Sequence, residues 1–237
     1  MSRWNAISLP LKRRALPRRG EVDLWLTDLS ELPLDVGPSG ESRKEQVVKQ
    51  RVQQRFILRL LLGSYLGVPG KDVIVERDEF DKPRLGGELA QTGLNFSLSH
   101  SAQWLAIALT RDRDIGVDIE HERIKRRADD LARRYFKGPD SDLIQGLDEP
   151  ERSHCFLTQW TAREALVKAE GRGLARNIGR IAMDCNPTRI CELPEDWPSD
   201  WQLIDPEWPS GVIGHVAVQT GQVPALNSFW LQTVRRS

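Results

Sequence analysis

Two long runs of helical periodicity, each stopped by glycine and each set among short strand-like runs, constrain this chain more than any other feature. From Lys44 to Leu66, Val47, Val48, Val52, Phe56, Leu60 and Leu61 recur three and four residues apart, and Gly67 ends the pattern. Residues 151–170 repeat the plan, with Phe156, Leu157, Trp160, Leu166 and Val167 on an apolar side and Gly171-Arg172-Gly173 as the stop. Around the first helix, residues 21–29, 73–76, 94–98, 104–110 and 115–119 read as strands, although 94–110 would also suit a short helix plus a strand. After the second, residues 189–204 and 212–219 read as strands. Shorter helices are predicted over 128–135 and 141–147, broken by Gly138-Pro139. Loops fall at 30–42, which holds Pro33, Gly37, Pro38 and Gly40, at Phe80–Pro83 and at Arg111–Asp114. This order predicts an α+β fold of two similar halves with antiparallel strands, residues 1–111 and 112–237, the first dozen residues being loosely held.

Bulk properties narrow the function. The 237 residues are enough for one large domain or two small ones. The 34 basic and 34 acidic residues cancel, which argues against non-specific nucleic-acid binding over the whole surface. Charge is uneven locally, with basic clusters over 12–19 and 123–134 that are either solvated faces or contacts for an anion or an acidic protein. Three cysteines (Cys155, Cys185, Cys191) without a C-x-x-C argue against a disulfide framework or a zinc site, and the four histidines lack metal-ligand spacing. The N-terminus has no signal-like apolar stretch and no run is long enough to span a bilayer, so a reducing, cytoplasmic setting is expected.

Chemistry is carried by three short segments. Asp118 and Glu120 lie two apart in the apolar run Gly116-Val117-Asp118-Ile119-Glu120, so in a strand both carboxylates share a face. Buried carboxylates need a partner, and a hard cation such as Mg²⁺ is a good one; a strand end emerging into water is the plain alternative. Glu164 and Lys168, four apart in the second long helix, stack one turn apart, which by itself describes many surface ion pairs. Ser99-His100-Ser101 lacks a G-x-S-x-G elbow, so a hydrolase triad is disfavoured, while hydroxyls and imidazole can grip phosphate oxygens. Lys82 and Arg55, taken singly, are ordinary solvated cations.

Taken together and in order, these segments resemble the 4′-phosphopantetheinyl transferases, and within them the larger, monomeric, surfactin-synthetase-activating (Sfp) type. The matching residues are Ser99-His100-Ser101, Gly116 to Glu120, and Trp160 to Lys168 about forty residues on. Lys82-Pro83, the Arg-rich helix around Arg55, Arg134-Tyr135-Phe136 and Gly171-Arg172-Gly173-Leu174 add to the resemblance, which covers roughly residues 43–175. One departure stands out: Arg163 precedes the helix Glu where the family usually has Lys. The resemblance implies a pseudo-dimer of two α+β lobes with the site in the cleft between them. It also implies transfer of the 4′-phosphopantetheine arm of coenzyme A to a serine of a carrier protein, with release of adenosine 3′,5′-bisphosphate. Asp118, Glu120 and Glu164 would then hold Mg²⁺. Glu164 and Lys168 would be catalytic, and Arg55, Lys82, Ser99, His100 and Lys168 would bind coenzyme A. An acyl or peptidyl carrier protein would dock on residues 123–136. Two other readings remain open at this point: a Mg²⁺-dependent phosphohydrolase or nuclease using the same acids, and a non-catalytic module that binds coenzyme A or a carrier.

Overall fold

Period-two alternation decides which layer each strand faces. The computed structural model describes residues 4–32, 42–125, 127–136, 138–173, 177–185 and 188–233. Five strands form one sheet: β1 (Asn5–Ser8), β2 (Glu21–Asp28), β5 (Leu94–Ser101), β6 (Trp104–Arg111) and β12 (Ala225–Gln232), in the order β1-β12-β2-β6-β5. Three more, β7 (Ile115–His121), β10 (Trp201–Ile204) and β11 (Val212–Gln219), form an antiparallel sheet in the order β10-β11-β7. Two small hairpins, β3 (Val75–Arg77) with β4 (Pro83–Leu85) and β8 (Ala182–Cys185) with β9 (Thr188–Glu192), lie outside these sheets.

On β6, Leu105, Ile107 and Leu109 face Ile57, Leu58, Leu61 and Leu62 of α1 (Arg43–Leu66). The intervening Ala106 and Ala108, with Val22, Leu24 and Leu26 of β2, face Ile115, Val117, Ile119, Val216 and Val218 of the second sheet. The far face of that sheet meets α4 (Glu151–Glu170) through Ile213, Ala217, Ala162, Ala165 and Ala169. The layers therefore run helix, sheet, sheet, helix, which is an α+β architecture. Each fully buried Leu, Ile or Val in these interfaces contributes roughly 1.5–3 kcal/mol relative to exposure. Helices α2 (Ala128–Tyr135) and α3 (Pro139–Gln145) cover one side of α4, where Tyr135, Phe136, Phe156 and Trp160 form an aromatic cluster.

Local signals terminate the helices as expected. Ser42 caps α1 by accepting from Glu45 N while the Glu45 carboxylate accepts from Ser42 N, and Gly67 closes it in the left-handed conformation. Gly171 closes α4 likewise, at φ 92°.

Several expectations need correction. The N-terminus is not loose from Asn5 onward: β1 pairs in parallel with β12, whose strand pattern over 225–232 sequence reading missed. The last strand thus returns to the first sheet and lies between β1 and β2. Residues 94–101 form a strand, not a short helix, and the run 189–204 is two strands separated by Leu193–Asp200. The strand expected at 73–76 lies at Val75–Arg77, and the short helix expected at 141–147 at Pro139–Gln145. Cys155 is disulfide-bonded, against the reading of the odd cysteine count, whereas Cys191 is exposed and free. Pro33, Gly37, Pro38 and Gly40, together with Arg126 and Leu174, lie outside the described residues. Among the described residues, no helix is long and apolar enough to cross a membrane.

Candidate active site

Strand β7 turns its β-branched residues toward the first sheet and Gly116, Asp118 and Glu120 toward α4. Gly116 sets how closely the helix lies. A Cβ there would stand 2.0 Å from Ala165 O and 2.5 Å from Ala169 N, so α4 rests directly on the strand backbone. That closeness brings one turn of α4 over Asp118. Lys168 Nζ donates to Asp118 Oδ1 at 2.6 Å and to Val117 O at 3.3 Å, and stands 3.9 Å from Glu164 Oε2. The two carboxylates of the strand and the Glu–Lys pair of the helix, read separately in the sequence, are thus one cluster.

The cluster is short of positive charge. Burial raises the Asp118 carboxyl above its ordinary range, with Lys168 and the Ser99 hydroxyl pulling the other way. Burial pushes Glu164 up to about 7, helped by the charges of Asp118 and Glu120 and opposed by Lys168. Three carboxylates sharing one ammonium form a hard-oxygen donor set that suits a divalent cation. Among the described residues, no three acidic, histidine or cysteine groups converge closely enough to cage a metal by themselves. Mg²⁺ does not require such a cage, since it takes one or two carboxylates and completes its shell with phosphate oxygens and water.

Strand β5 forms the adjoining wall. Ser99 Oγ donates to Asp118 Oδ1 at 2.7 Å and accepts from Ile119 N at 3.3 Å, so its hydroxyl is engaged with the acids. His100 is exposed at the end of β5. Burial of its ring holds its pKa below the ordinary value, reinforced by Lys168 and Arg51 and opposed by Asp118 and Glu120. Arg51 of α1, a residue sequence reading passed over, is thus the helix cation whose charge bears on His100. Arg55, one turn on, is exposed and makes no ion pair with the described residues. Lys82 Nζ donates to Ala169 O at 2.6 Å, near the C-terminus of α4, and lies 3.5 Å from Asp114 Oδ1. Burial lowers its pKa, with Asp114 opposing. Lys82, Leu98, Lys168 and Gly171 line a pocket of about 250 Å³ beside the acids. A larger hollow of about 950 Å³, lined by His154, Trp208 and His215, touches none of the acids of the cluster and lacks this chemistry.

Arg163 belongs to the core. Adjacent helical residues project about 100° apart, so Arg163 and Glu164 cannot both face β7. The Arg163 side chain is 0% exposed, pairs with Asp140 of α3, and donates to Gln159 Oε1 at 2.8 Å and to Ile181 O at 3.2 Å. Its guanidinium lies 4.0 Å from the centre of the Phe136 ring. Trp160, placed by the sequence on the apolar side of this helix, joins the same aromatic packing. In the basic run 123–136, Arg127 and Arg133 are engaged by Asp129 and Asp130, while Arg123 and Arg134 are exposed, as is Ile124 at 62%.

Known proteins resemble this chain in sequence. The family model described as the 4′-phosphopantetheinyl transferase superfamily matches residues 114–212, a span that includes β7 and α4. The 4′-phosphopantetheinyl transferase HetI of Nostoc sp. is 34% identical over 197 residues, covering 78% of this chain and 82% of that protein. A putative 4′-phosphopantetheinyl transferase of Synechocystis sp., slr0495, is 28% identical over 166 residues, covering 69% of this chain and 67% of that protein. The 4′-phosphopantetheinyl transferase gsp of Aneurinibacillus migulanus is 24% identical over 152 residues, covering 64% and 61%. With the strand acids and the helix Glu–Lys pair joined in one cluster, and with a relative at this identity and coverage, the chain belongs to the 4′-phosphopantetheinyl transferase superfamily.

Proposed function

We propose that the protein transfers the 4′-phosphopantetheine group of coenzyme A to a serine hydroxyl of an apo carrier protein, in a Mg²⁺-dependent reaction that releases adenosine 3′,5′-bisphosphate. The observation that carries this reading is the meeting of Asp118, Glu120, Glu164 and Lys168 beside the Ser99–His100 end of β5. In the step itself, the serine oxygen attacks the β-phosphorus, a P–O bond to the nucleotide breaks, and the serine proton passes to a base. Such transfers need alignment and charge neutralisation more than covalent help.

Each residue has a role that its surroundings support. Asp118, Glu120 and Glu164 would hold Mg²⁺, which supplies charge neutralisation at the pyrophosphate. Glu164, pushed up to about 7, is suited to accept the serine proton directly or through water. Lys168, already among the acids, is suited to the pyrophosphate oxygens. Lys82, His100 and Arg55 would grip coenzyme A, joined by Arg51, whose charge bears on His100, whereas Ser99, having given its proton to Asp118, would hold that acid in place. The order of layers supports two lobes, as in the surfactin-synthetase-activating type, with the chain passing to the second near residue 111 and returning to the first through β12. The acids of β7 and α4 and the β5 grip come from one chain, which supports action as a monomer. An acidic carrier would dock at Arg123, Ile124 and Arg134.

The test is direct. The folded protein is incubated with coenzyme A, Mg²⁺ and a panel of apo acyl and peptidyl carriers, and each carrier is weighed by mass spectrometry. A carrier heavier by one phosphopantetheine is expected; no modification across a broad panel refutes the reading.

A further inference from the structure

The outer edge of β7 meets the face of β5 without backbone pairing. β5 is an outer strand of the first sheet and β7 an outer strand of the second, yet the two are not bonded backbone to backbone. An exposed strand edge leaves a row of unpaired N–H groups. Here the row is met by side chains. Val117 N donates to Ser97 Oγ at 3.0 Å, Ile119 N to Ser99 Oγ at 3.3 Å, and His121 N to Ser101 Oγ at 3.0 Å. Three serines two residues apart point to one face of β5, so their spacing matches that of the amides they serve.

Two of these hydroxyls do a second thing. A serine hydroxyl has one proton to give and two lone pairs. Having accepted an amide, Ser99 gives its proton to Asp118 Oδ1 and Ser101 gives its proton to Glu120 Oε2, both at 2.7 Å. An amide donating into a hydroxyl polarises it and strengthens the bond it makes in turn. Glu120 stands at the half-exposed end of β7 and makes no ion pair with the described residues, so Ser101 is what orients it.

We infer that Ser97, Ser99 and Ser101 form a hydroxyl strap joining the two sheets, and that Ser101 is a positioning residue which aims the Glu120 carboxylate. The second half rests on the proposed reading of Glu120 as a metal ligand; the first half does not. Ser97 supplies the internal control, because its hydroxyl serves the Val117 amide and, among the described residues, makes no bond to a carboxylate.

The experiment compares wild type, Ser97→Ala, Ser101→Ala and Ser101→Thr in two measurements. Amide hydrogen exchange reads the strap: Ser97→Ala accelerates exchange at Val117, Ser101→Ala accelerates it at His121, and Ser101→Thr restores protection. Calorimetric titration with Mg²⁺ in the presence of coenzyme A reads positioning. Loss of a group orienting a metal ligand typically weakens metal binding about 10–100-fold, so Ser101→Ala should lose about that much while Ser97→Ala and Ser101→Thr stay near wild type. Unchanged exchange at His121 in Ser101→Ala overturns the strap. Wild-type Mg²⁺ affinity in Ser101→Ala, or an equal loss in Ser97→Ala, overturns the positioning role. If wild type itself binds no Mg²⁺, the metal reading falls, and hydrogen exchange still decides the strap.

Discussion

Replacing Arg163 with Met separates two meanings of the residue that departs from the family pattern. If Arg163 is a core residue, the variant loses stability and keeps its chemistry. Met fills similar space but leaves Asp140, 8% exposed, without its guanidinium, and Gln159 Oε1 and Ile181 O without a donor. Breaking a buried ion pair from one side costs about 3–5 kcal/mol. For a chain of this size, each kcal/mol moves the melting temperature about 2–4 °C, so a fall of roughly 6–20 °C is expected. Asp140 also accepts from Met183 N at 3.0 Å, which an amide oxygen can still do, so Arg163→Met with Asp140→Asn should recover part of the loss. The assay is a thermal melt of each variant, followed by transfer rates measured well below its melting point and expressed per folded molecule. The expected rate is that of wild type. An unchanged melting temperature combined with lost transfer would falsify the placement of Arg163 in the core and return it to the phosphate site.

Other perturbations test the site and its supports. Glu164→Gln should lower transfer about 10²–10⁴-fold, the usual contribution of a positioned base, with an unchanged far-UV spectrum; full activity refutes its role as base. Because a cation beside a carboxylate favours its charged form, the rising limb of transfer against pH, governed by Glu164 at about 7, should move to lower pH as Mg²⁺ is raised. A limb indifferent to Mg²⁺ would place the metal elsewhere. Gly116→Ala puts a methyl group into the α4 backbone and should cost about 1–3 kcal/mol or more while displacing Glu164 and Lys168 from Asp118, so stability and transfer fall together. Burial lowers His215 to about 4, and its Nδ1 lies 2.8 Å from Thr161 Oγ1. The unfolded chain, with histidine near 6.5, then binds the extra proton first. Stability is full above about pH 6.5 and falls by up to about 3 kcal/mol as pH drops toward 4. His215→Gln should flatten that part of the acid slope in denaturant titrations, and an unaltered slope assigns it to other groups.

How much was legible from the sequence differs by element. α2 and α4 run over the residues their apolar spacing marked, and α1 begins one residue early, because periodicity and caps are local properties of the chain. β1 and β12 were missed for the opposite reason: neither is a strong strand by pattern, and each exists because the other, and β2, supply its hydrogen bonds. Within the site, Asp118 with Glu120 and Glu164 with Lys168 were found by spacing. Arg51, whose charge bears on His100, was not singled out because helical spacing alone does not say which turn faces a neighbouring strand end. The Ser97, Ser99 and Ser101 alternation was visible, but its use was not.

The sequence by itself determined which side chains share a face, and therefore which acids and bases could act together. The tertiary structure decided what each face meets. It turned Arg163 into core, brought β12 back to the first sheet, and pressed α4 onto β7 at Gly116. The reason is physical: side-chain direction follows from the backbone period of a few residues, whereas a carboxylate on β7, an ammonium on α4 and a hydroxyl on β5 become neighbours only when separate layers bury their apolar faces against one another.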